Sequence, residues 1–167
     1  MINIRSLVSH RRGQAMVEFA LLAPAFFLLL LGVLDFGRVG FYYVSSVDLA
    51  RQTARYAAAY NTGIGFTSSQ IDTYMKGQAN ATTMNAPTLI STGSCARPNG
   101  PPTLACQKPG VGQTNYWVVR CIIPTCNPET TTVTVVYAFR PTTPMISAIT
   151  GTIYLWADSV MNKEYIG

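Results

Sequence analysis

Residues 13–34, GQAMVEFALLAPAFFLLLLGVL, carry a single ionisable side chain, Glu18, at the near end of an otherwise uncharged apolar run. Sixteen residues from 19 to 34 are without charge, and Ala15, Met16 and Val17 add one apolar turn before Glu18. At ~1.5 Å per helical residue these positions approach the ~30 Å thickness of bilayer hydrocarbon, which predicts a transmembrane helix over 14–35. A carboxylate at the end of such a helix is costly to keep dry, most at the bilayer centre and less toward the interface. Glu18 therefore either snorkels to the headgroups or meets a compensating group in the working state.

A secretory signal peptide would also place Arg5, His10, Arg11 and Arg12 before an apolar stretch. Its apolar region would be too long, however, and its far end runs through Gly32, Asp35, Phe36 and Gly37 with no A-x-A site. Cleavage on the near side, directly after Gly13, keeps the apolar segment on the mature chain and makes Glu18 its fifth residue. That spacing resembles the prepilin-peptidase site of type IV pilins.

The resemblance extends further. G-Q-A-M-V-E-F, then A-L-L-A-P and L-D-F-G-R, is similar to the N-terminal signature of the TadE family of tight-adherence (Tad) pilus proteins, carried here by Gly13, Glu18, Phe19, Pro24, Asp35 and Arg38. Residues 133–164, VTVVYAFRPTTPMISAITGTIYLWADSVMNKE, resemble the C-terminal end of the same family. The resemblance implies a pilin-like, non-enzymatic pseudopilin cut by a prepilin peptidase at Gly13 and Gln14. Arg11 and Arg12 would be the cytoplasmic charge signal, and Glu18 with Phe19 the recognition and packing pair. The new amine of Gln14 would neutralise the Glu18 carboxylate of a neighbouring subunit. The implied partners are inner-membrane lipid, the peptidase, other pilins or pseudopilins and the pilus assembly platform, for a minor component of a Tad (Flp-type) pilus serving adherence.

Charge sets the expected orientation. Arg5, Arg11 and Arg12 precede the span while Asp35 and Arg38 roughly cancel beyond it, so the positive-inside bias puts a leader of residues 1–13 in the cytoplasm of a bacterium. The formal charge of +5 is largely a leader effect: residues 1–13 hold three of the twelve basic residues and none of the seven acids, leaving +2 without them. Neither nucleic acid nor a small-molecule substrate is expected as a partner. Pro24, one turn into the span, either kinks the helix or is tolerated as prolines often are in membranes.

Beyond the span, Phe36, Phe41, Tyr42 and Tyr43 form an aromatic turn suited to an interface. Val47, Ala50, Ala54, Ala57 and Ala58 then recur at helical spacing to a stop at Asn61-Thr62-Gly63. Residues 36–62 thus continue the helix outside the membrane, and 14–60 would make a rod of ~70 Å. Residues 63–167 are expected to form an extracytoplasmic α+β domain. It would contain a short helix from Ser68 to about Ala81, strands over 86–91, 116–123, 131–139 and 153–157, and loop over 91–115, where proline and glycine exclude regular structure. The fold class is α+β, a long helix packed by its alanine stripe on a small antiparallel sheet.

Four cysteines, Cys95, Cys106, Cys121 and Cys126, fall in this outer domain, and their even number outside the cytoplasm favours two disulfides. Three pairings are open; Cys95–Cys106 with Cys121–Cys126 encloses the shortest loops. A zinc site would need paired C-x2-C or histidines, and the one histidine is in the leader. The four residues between Cys121 and Cys126 do not fit a redox C-x-x-C. No metal or cofactor is expected, and the scattered acids offer no acid–base pair for an enzyme. The alternative reading is an unprocessed, membrane-anchored adhesin whose Tyr116, Trp117, Tyr154 and Trp156 line a binding surface.

Overall fold

The computed structural model describes residues 5–59, 68–81, 84–90, 104–121 and 128–162. The expected stop at 61–63, Cys95 and Cys126, most of the proline-rich loop, and the side chains of Arg5, His10, Arg11 and Arg12 lie outside the described residues. Helix α1 (Arg5–Ala59) runs unbroken through Pro24 and begins nine residues before the expected rod. No proline precedes Pro24, and a glycine such as Gly13 in a helix interior costs only about 1 kcal/mol relative to alanine, so nothing local ends the helix there.

The far half of α1 is the backbone of the core. Leu49, Ala50, Ala54 and Ala57 are buried against Val133, Val135, Tyr137 and Phe139 of β3 (Thr130–Phe139) and Leu155 and Ala157 of β4 (Ile153–Asn162). Alanine on the helix lets its axis approach the sheet closely, while the β-branched and aromatic residues opposite fill the pleats. Helix α2 (Ser68–Ala81) packs beside α1, with the rings of Tyr56 and Tyr74 stacked 4.2 Å apart and the Thr53 hydroxyl 3.1 Å from the Met75 sulfur. Its Asp72 accepts a 3.0 Å hydrogen bond from the hydroxyl of the fully buried Tyr116 on β2 (Thr114–Cys121). Burial first, then the Asp72 charge and this bond, push the Tyr116 phenol above its usual range.

The sheet has the order β1-β2-β3-β4, where β1 is Thr88–Leu89. The pairs β2–β3 and β3–β4 are antiparallel over eight and ten residues, as expected, but β1 pairs parallel with β2, so the sheet is mixed. A hairpin would force antiparallel pairing, whereas residues 90–113 between β1 and β2 are long enough for a crossover. The loop expected over 91–115 also needs correction. It contains a one-turn helix, α3 (Leu104–Gln107), and its last two residues, Thr114 and Asn115, belong to β2. The helical turn fits because Pro102 and Pro109 flank it and neither interrupts it.

Tyr116 and Trp117 are buried, and Trp117 meets Trp156 edge to face at 5.8 Å. Tyr116 and Trp117 thus pack the sheet, whereas Tyr154 is half-buried and Trp156 is exposed. Between β3 and β4 stands a small apolar helix, α4 (Pro144–Thr150).

Candidate functional site

The near half of α1 presents the apolar run to its surroundings on all sides. Among the described residues Gly13–Ala59 contains the one helical stretch long and apolar enough to cross a membrane, and none of its most apolar window is covered by the rest of the chain. A core helix of a soluble domain would be covered. Phe19 is 72% exposed, and Leu22, Phe26, Leu29 and Val33 are exposed on successive turns. One long, apolar, uncovered N-terminal helix points to a single-pass membrane anchor.

Glu18 and Gln14 are both exposed on this helix and stand one turn apart, with the Gln14 amide donating to a Glu18 carboxylate oxygen at 3.3 Å. Gly13 is also exposed, with open space where a side chain would stand. Phe19 projects from the adjoining position. Arg11 and Arg12 lie on the first turns of α1.

At the other end of the apolar run the chain builds a junction of a different kind. Asp35 is only 4% exposed, although its neighbours Val33, Leu34 and Phe36 are exposed. Its Oδ1 accepts from the Thr142 amide at 3.1 Å and the Thr142 hydroxyl at 2.7 Å, and its Oδ2 accepts from the Thr143 amide at 2.9 Å. The sequence R-P-T-T-P explains why those amides are available. Pro144 opens α4 and holds Thr143 extended, at φ −69° and ψ 116°, so that the two threonine N–H groups point away from the helix and toward α1. Charge-assisted bonds of this type are stronger than neutral ones, and here they tie the exit of the apolar helix to the β3–α4 connection.

Arg38, one turn on, reinforces the junction. Its guanidinium donates to Asp35 at 3.4 Å and to the Thr142 hydroxyl at 3.2 Å, and it lies 5.4 Å from the centre of the Phe139 ring. Tyr42, a turn further, stacks on Tyr137 at 4.5 Å and leans on Phe139 at 6.0 Å. Burial, followed by its hydrogen bond to Tyr42, raises the Tyr137 phenol to about 12.

Gly13, Gln14, Glu18, Asp35 and Arg38 thus fall on one uninterrupted helix, at the two ends of an exposed apolar run. Residues 13–55 match the family of TadE-like proteins. No curated protein and no solved structure matches the chain. The TadE-like match begins at the glycine, takes in the apolar run and the Asp35–Arg38 junction, and ends among the core alanines; residues 133–164 lie outside it.

Sequence reasoning singled out Asp35 and Arg38 but not their partners. Thr142 and Thr143 are more than a hundred positions away, and only the paired prolines around them hinted at a fixed extended segment. Cys106, on α3, and Cys121, at the end of β2, are not free thiols.

Proposed function

We propose that the chain is a TadE-like minor pseudopilin that acts in assembly, or as a minor subunit, of a Tad (Flp-type) type IV pilus used for surface adherence. The family match over residues 13–55 carries this reading, because it coincides with an exposed apolar helix bearing Glu18 at its start. The family is one of pilus structural and assembly proteins, which favours a non-enzymatic role.

In this proposal residues 1–13 are a cytoplasmic leader, 14–35 span the bacterial inner membrane, and 36–62 continue the helix into an outer domain completed by 63–167. A prepilin peptidase cuts between Gly13 and Gln14, guided by Arg11 and Arg12, and Glu18 with Phe19 docks the helix among other pilins or on the assembly platform. Cys95 pairs with Cys106 and Cys121 with Cys126, each bond constraining the unfolded outer domain; peptide mapping without reduction separates this from the other two pairings.

The junction suits such a part. A subunit drawn out of the membrane by its helix must transmit that pull to its domain, and Asp35 and Arg38 couple the two at the point of exit. Deleting the chain from its host is expected to remove sheared surface fibres and adherence together, with both restored by the intact gene. Normal fibres in the deletion strain would overturn the assembly role.

A further inference from the structure

Helix α4 has no buried residue, yet it is firmly placed. Its N-terminal end is held by Asp35 through the amides of Thr142 and Thr143. Its first turn closes from Ser147 N–H to Thr143 at 2.9 Å, and Gly151, at φ +62° and ψ −136°, takes a backbone conformation open to glycine that ends it. Arg140 adds a 3.0 Å bond to the Ser147 hydroxyl. Successive residues of a helix are ~100° apart, so three faces can be assigned. Ile146 points to α1, where its Cδ1 lies 3.7 Å from the place a Cβ on Gly32 would occupy. Ser147 points to Arg140. Met145 and Ile149, one turn apart, point outward and are 59% and 85% exposed.

Position decides what covers that outward face. Gly32 belongs to the apolar run itself, one turn before Asp35, so α4 sits beside the end of the membrane segment and its bare face continues the uncovered surface of α1. Two cations stand at its base, Arg38 bonded to Thr142 and Arg140 to Ser147, and a third, Lys108, lies 5.3 Å over the ring of Tyr154, near the start of the strand that follows α4. Residues 130–157 contain no acid, and Asp35 is already engaged. Apolar side chains at the level of the acyl boundary, with arginine, lysine and tyrosine just outside, match the division of a bilayer interface.

We propose that α4 is a second membrane contact, lying along the leaflet where the span ends, with Met145 and Ile149 among the acyl chains and Arg38, Lys108 and Arg140 at the phosphates of anionic phospholipid. This rests on the single-pass anchor read from α1. It gives the outer domain a fixed orientation over the bilayer, set by two contacts where one helix alone would leave it free to swing. Release of α4 from lipid would then accompany extraction of the subunit from the membrane.

The test uses the full chain in vesicles of phosphatidylethanolamine and phosphatidylglycerol, with and without bromine on the acyl chains. Tryptophan is introduced one position at a time by Ile149→Trp, Leu29→Trp and Val160→Trp, all at exposed sites, and the emission of Trp117 and Trp156 is subtracted with the unsubstituted chain. Brominated lipid is expected to lower the added emission at 149 roughly twofold, as at 29, and to leave 160, at the opposite end of β4, unchanged. Water-like emission at 149, insensitive to bromine while 29 is quenched, would overturn the proposal. Blue-shifted emission at 149 that ignores bromine would overturn it in favour of a second copy of the chain. Loss of quenching at 29 would instead remove the anchor on which it rests.

Discussion

Glu18→Ala is expected to be cleaved after Gly13 as the parent chain is, yet to be recovered with assembled pili roughly 100-fold less, the equilibrium equivalent of leaving one charge unpaired in hydrocarbon. In the proposed mature chain Gln14 would carry the new α-amine, and α1 holds Gln14 and Glu18 one turn apart, with their side chains already in contact at 3.3 Å. Among packed helices an amine from one subunit and a carboxylate from the next cancel only in the correct stagger, so the pair acts as a register device. Removing the carboxylate leaves an amine without a counter-charge in every stagger. Quantifying the chain in sheared fibres and in membranes, with the mass of the membrane form alongside, separates failed assembly from failed cleavage. Recovery of Glu18→Ala in fibres at the parent level would exclude the pairing.

Phe139→Ala is expected to cost the outer domain about 3–5 kcal/mol, a large share of the stability of a domain this size. Phe139 is 1% exposed, closes the end of β3, and carries both the Arg38 guanidinium and the edge of Tyr42. Its removal opens a cavity where the apolar run of α1 ends and the helix meets the sheet. Urea unfolding of the detergent-solubilised full chain, followed by the emission of Trp117 and Trp156, measures the loss. A change below about 1 kcal/mol would mean that the junction is held by the Asp35 hydrogen bonds with little help from the ring beneath them.

Much of this architecture was legible in the residues. The long helix followed from an uncharged run continued by an alanine stripe at helical spacing, and α2 followed from Ser68 and Ser69 ahead of Ile71 and Met75. The alternation of Val133, Val135, Tyr137 and Phe139 marked β3, and the same four residues form the face that receives α1. The parallel pairing of β1 was not legible, because a two-residue strand has too little pattern to state its direction and its partner is chosen by a long connection. The turn of helix at 104–107 was hidden by prolines that surround it.

The junction shows most plainly where local reading ends. Asp35 and Arg38, three residues apart, look like a neutral pair that finishes a membrane segment, and their ion pair is present. The carboxylate is nevertheless used mainly by two amides and a hydroxyl from the Pro-Thr-Thr-Pro segment, contacts no local period announces. Likewise the apolar composition of α4 was evident, whereas its exposure beside Gly32 came only with the fold.

The central claim is that this helix is a processed pilin-like anchor. The most direct measurement is the N-terminus and intact mass of the membrane-extracted protein from cells with and without their prepilin peptidase. The account predicts a chain that starts at Gln14 when the peptidase is present and at Met1 when it is absent; a chain that starts at Met1 in both would contradict it.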